Sequence, residues 1–151
     1  MASSRNISYL MLAARLWVGA VLAFAGFMKL MEPTANFQAA LEQYPLIPPA
    51  FLPILAQTVP WIEWIGGSFL VLGYMTRVLA FIFVFFCLGF IAVLSGPVWA
   101  GSAAKDCGCF GQGAFALTVN QAYILDWTNL ILCSLLVSVK KNIFSLDQLF
   151  L

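Results

Sequence analysis

Histidine is absent from all 151 residues. That removes histidine-ligated haem, histidine zinc sites and imidazole acid–base catalysis together. Charge is scarce as well. Asp, Glu, Lys and Arg make up 9% of the chain, where an average soluble domain carries about one quarter. A chain that is 63% hydrophobic has too few polar groups to cover its surface in water, so lipid is its natural solvent. A net charge of +1 gives a phosphate backbone nothing to bind, which excludes nucleic acid as a partner. Internal repeats and low-complexity segments are also missing. The length predicts a single membrane domain over 1–151.

What is present is a set of long oily runs, and they predict an all-α fold: an integral membrane four-helix bundle. The first run, 7–30, is long enough to cross a bilayer and is interrupted only by Arg15 and Lys29. It exceeds the apolar core of a signal peptide, despite the cleavage-like Ala23-Phe24-Ala25, and reads as a retained helix. Further spans are expected over 54–73, 78–94 and 122–139. Between the first two, Phe37, Ala40, Leu41 and Tyr44 recur at helical spacing and predict a short interfacial helix. Pro45, Pro48, Pro49 and Pro53 then form a stiff connector. The loops are 31–53 and 95–121.

Four spans put both termini on one side. That side collects Arg5, Arg77, Lys140 and Lys141, while Lys29 and Lys105 on the other are offset by Glu32, Glu42 and Asp106. The positive-inside rule then predicts cytoplasmic termini and outward-facing loops.

The longest loop holds Lys105-Asp106-Cys107-Gly108-Cys109-Phe110-Gly111. In an oxidising compartment a cysteine pair forms a disulfide. Across one intervening residue the ring is strained and stabilises little by loop closure, which suits redox exchange better than stapling. Gly108 permits the backbone angles such a ring demands. Two alternatives stay open. One is a structural disulfide or inert thiols. The other is a metal site, for which two thiolates are only half a tetrahedral set. Cys87 and Cys133 fall mid-span and read as apolar packing. Cys107 and Cys109 are therefore the candidate exchanging residues, flanked by Lys105 and Asp106, which pull thiol ionisation in opposite directions.

The segments RLWVGAVLAFAGFMKLMEP, FQAALEQYPLIPP, VPWIEWIGGSFLVLGYMTR and DCGCFG, in that order, resemble the DoxX/MauE group of small four-helix membrane proteins, most closely its MauE branch, over roughly 8–140. The resemblance implies a bacterial inner-membrane protein tied to extracytoplasmic thiol–disulfide chemistry. MauE itself is associated with maturation of the disulfide-rich small subunit of methylamine dehydrogenase, beside a thioredoxin-like partner. One departure stands out: Leu125 precedes Asp126 where relatives carry an arginine.

Four ionisable residues sit within or at the edges of the spans: Arg15, Lys29, Glu63 and Asp126. Such groups are costly in lipid and turn to the bundle interior. Arg15, Gly19, Leu22, Gly26 and Lys29 share one helix face, Glu63, Gly66, Gly67 and Leu70 another, and Asp126, Asn129 and Cys133 a third. Counting about 1.5 Å per residue from the inner helix ends puts Arg15 and Glu63 at similar depths and predicts that they pair. Lys29 and Asp126 are expected nearer the outer face, below the cysteine loop. These groups either fix helix packing, relay protons or tune a cysteine.

Two functions of different class follow. The first is a membrane component of thiol–disulfide exchange, passing electrons to or from a thioredoxin-like partner outside, with a quinone between the helices as candidate carrier. The second is a non-catalytic subunit or anchor of a larger membrane redox complex. A transporter fits less well, because four spans without an inverted repeat lack the usual architecture.

Overall fold

The computed structural model describes residues 2–101, 107, 108, 110 and 117–138. Among them the chain is all-helical. It forms α1 (Ala2–Met31), α2 (Thr34–Glu42), a 3-10 turn (Pro49–Phe51), α3 (Leu52–Leu72), α4 (Thr76–Trp99) and α5 (Val119–Ser138). Of these, α1 and α4 are long and apolar enough to cross a membrane. The expectation of four such helices is met by those two. α3 and α5 have 21 and 20 residues, but Gln57, Glu63, Asn120, Gln121, Asp126 and Asn129 dilute their hydropathy. Their outward faces are nonetheless oily: Ile54, Trp61, Ile65 and Phe69 on α3 and Ile124, Trp127 and Ile131 on α5 are all exposed.

Helix ends follow local chemistry. α3 opens with Pro53 in its first turn, where the missing N–H is no loss. It closes at Gly73, whose left-handed backbone (φ 73) lets its own N–H reach Leu70 O and the next N–H, of Tyr74, reach Phe69 O. α4 continues past its expected end at Leu94, through Pro97 to Trp99. α5 begins at Val119, three residues before its expected start. The reason is a capping box: Gln121 N–H donates to Thr118 Oγ1, and Thr118 N–H donates to Gln121 Oε1.

Packing pairs α1 with α3 and α4 with α5 along most of their lengths; α1 also touches α5, whereas α3 and α4 meet only briefly. Glycines set the α1–α3 register. A Cβ on Gly19 would fall 2.9 Å from Gly67 O, and one on Gly26 would fall 2.6 Å from Pro60 O. The two helices are thus antiparallel and in backbone contact, as small residues allow. The whole expected α1 stripe, Arg15 through Lys29, is buried. So are Phe37, Ala40, Leu41 and Tyr44 of the α2 stripe. Phe37 and Leu41 pack on Leu52, Ala56 and Val59 of α3.

Candidate functional site

The two long loops meet at one end of the bundle. Tyr44, just beyond α2, packs with Leu94, Cys107, Val119 and Ala122. Its hydroxyl donates to the carbonyl of Cys107 at 3.3 Å, and the Cys107 N–H donates to Leu117 O at 3.0 Å. Cys107 is thereby 3% exposed. Gly108 adopts φ 70, a region closed to most side chains. A Cβ there would also lie 2.5 Å from the Ala40 Cβ. The turn therefore requires glycine on two separate grounds. Phe110 reaches back to α1, its ring 6.0 Å from that of Phe24. Lys105, Asp106, Cys109 and Gly111 lie outside the described residues.

Directly below sits a charged cluster. Lys29 Nζ donates to Glu63 Oε2 at 2.6 Å, with both side chains buried. The ammonium also lies 5.0 Å from the ring centre of Phe37 and 5.5 Å from that of Phe90, within cation–π range. Asp126 and Asn129 line the same small cavity as Lys29, Glu63 and Phe110.

The expected Arg15–Glu63 pair is therefore overturned. Glu63 pairs with Lys29, and the glycine register explains it. Gly26 packs against Pro60, Glu63 and Trp64, and Gly19 against Gly67 and Val71. Seven residues forward on α1 correspond to seven backward on α3. Arg15 then lies level with the end of α3 near Gly73, about 15 Å from the level of Glu63. Depth counting fails because α1 overhangs α3, so their inner ends are not level. Arg15 is buried among other neighbours.

Sequence reasoning also missed that the thiols of Cys87 on α4 and Cys133 on α5 come close enough to interact. Both are buried. Nothing within either helix announces a contact between them. Only Asn129, one turn before Cys133, hints at a polar face.

Among the described residues the chain is all-helical, with two helices long and apolar enough to cross a membrane and an ion pair buried between α1 and α3. Residues 7–139 match the family model described as methylamine utilisation protein MauE, and the chain belongs to that family. No curated protein and no solved structure matches it.

Proposed function

We propose that the protein is a four-span inner-membrane component of extracytoplasmic thiol–disulfide exchange, with cytoplasmic termini and the Cys107-Gly108-Cys109 turn outside. The observation that carries this reading is the turn itself: a left-handed Gly108 fitted against Ala40, with Cys107 held by Tyr44. Supporting the span count, α3 and α5 expose large apolar side chains like those of α1 and α4, a surface suited to lipid rather than water.

The burial of Cys107 supports a division of roles. A thiol that meets a protein partner must be accessible. Cys107 is not, so Cys109 is the partner-facing residue and Cys107 the resolving one. The Cys109 thiolate attacks a partner disulfide, forming a mixed disulfide and releasing one partner thiolate. The Cys107 thiolate then attacks the Cys109 sulfur, closing the Cys107–Cys109 bond and releasing the second partner thiolate. The partner gains two electrons and this chain loses them; the reverse sequence oxidises the partner. The client is a thioredoxin-like protein of the methylamine-utilisation setting. A cleft of about 250 Å³, lined by Phe37, Leu41, Phe85, Phe86, Phe90 and Val93, has the size and aromatic walls for a quinone ring as electron carrier.

Cys107→Ser removes the resolving thiol and is expected to accumulate a mixed disulfide through Cys109, while Cys109→Ser accumulates none. If both variants and the double serine variant support partner maturation as the wild type does, the reading fails and the protein acts as a non-catalytic subunit.

A further inference from the structure

The cavity beneath Phe110 has a volume of about 30 Å³ and is lined by residues of α1, α3, α4 and α5 and by that loop residue. Its polar wall is Lys29, Glu63, Asp126 and Asn129; the rest is hydrocarbon, including Phe90.

Lys29 and Glu63 are committed to each other. Asp126 is partly buried, makes no ion pair among the described residues, and lies within electrostatic reach of both. Among the described residues, the polar and titratable groups facing it come from α1, α3, α4 and α5. α1 supplies Lys29 and α3 supplies Glu63. α4 supplies only the Cys87 thiol, beyond Phe90, and α5 itself supplies Asn129 and Cys133. Arg15 is about 21 Å from Lys29 along α1. Among the described residues, two carboxylates against one ammonium leave a negative charge without compensation in a low-dielectric interior, where uncompensated charge is costly.

A second observation is independent of that count. Asn129 is 2% exposed, and its Oδ1 accepts no hydrogen bond from the described residues. Buried acceptors are nearly always satisfied. A surplus negative charge and an acceptor without a donor, on the walls of one cavity, call for the same occupant. It must be positive, it must donate hydrogen bonds, and it must be small. The volume accommodates a water-sized group. A bare metal ion is a poorer fit, because Phe90 and Phe110 stand where further oxygen ligands would be needed.

We propose that this chamber is a binding site for one small monovalent cation that donates hydrogen bonds, held between Asp126 and Asn129 Oδ1 beside the Lys29–Glu63 pair. Two sources supply that chemistry. One is a proton, carried on Asp126 and linked to Asn129 Oδ1 through a water. The other is an ammonium-type ion. The site stands apart from thiol exchange and does not depend on it.

The test uses the full chain in lipid or detergent, with two readouts. Infrared spectroscopy at neutral pH looks for a buried carboxylic-acid carbonyl band. Thermal unfolding is followed in ammonium chloride and methylammonium chloride against sodium chloride at equal ionic strength. A band that vanishes in Asp126→Asn identifies the proton. A saturable, ammonium-specific stabilisation, with affinity about tenfold or more weaker in Asp126→Asn and Asn129→Leu, identifies the ion. A band that disappears on adding ammonium shows both competing for one site. Absence of both signals in the wild type overturns the proposal, as does either signal persisting unchanged in Asp126→Asn. If Asp126→Asn fails to fold, Asn129→Leu removes the acceptor while keeping the charge. An unchanged carbonyl band or ammonium affinity in that variant overturns the proposal equally.

Discussion

At the scale of single residues, Gly108 and the Lys29–Glu63 pair concentrate the constraint. Gly108→Ala is expected to destabilise the fold by about 1–2 kcal/mol for the left-handed backbone alone, with the overlap on Ala40 adding to it. Thermal unfolding of Gly108→Ala with and without Ala40→Gly separates the two contributions. The second substitution should recover the overlap and leave the backbone part. The buried pair makes a different prediction. Removing one partner, as in Lys29→Met, leaves a buried charge and should cost about 3–5 kcal/mol, whereas Lys29→Met combined with Glu63→Leu should recover most of that loss. A denaturant midpoint for the double variant no higher than for the single one would contradict a pair whose main burden is desolvation.

At the scale of elements, α1 and α3 depend on backbone contact. A Cβ on Gly67 would lie 2.5 Å from the Ala23 backbone nitrogen, and backbone cannot yield as a flexible side chain can. Gly67→Ala should therefore destabilise by about 1–3 kcal/mol, the range for overpacking. Gly89→Ala, whose Cβ would meet nothing within 4 Å, should be neutral or better; comparing the two melting temperatures checks this. Much of this level was legible in the sequence. The buried phases of α1, α2 and α3 follow from spacing alone, because a helix can turn only one stripe inward. The Thr118–Gln121 capping box was also there to be read, and would have moved the start of α5 to its observed place. What spacing could not supply was register between helices. Arg15 and Lys29 lie on the same stripe, and only the depth at which Gly19 and Gly26 meet α3 decides which of them faces Glu63. The Cys87–Cys133 contact was hidden for the same reason. It depends on how α4 and α5 are placed against each other, which neither helix encodes alone.

For the whole molecule, the two loops converge on one end of the bundle, where the cysteine turn closes over the charged cluster and Phe110 forms its lid. This arrangement divides the cysteines into classes. Cys87 and Cys133 are sealed between α4 and α5, so maleimide should leave both unmodified in the folded protein and modify both after denaturation, as read by mass spectrometry. Modification of either in the folded state would contradict the packing of α4 on α5.

The proposed exchange requires the CGC turn to lie outside the membrane and to rest as a reducible disulfide. The direct measurement is labelling of intact cells with a membrane-impermeant maleimide, with and without prior mild reduction, with the modified residue located by mass spectrometry. The account predicts modification of Cys109 from outside only after reduction, with Cys87 and Cys133 untouched. Modification only after the membrane is permeabilised would place the turn on the wrong side and contradict it.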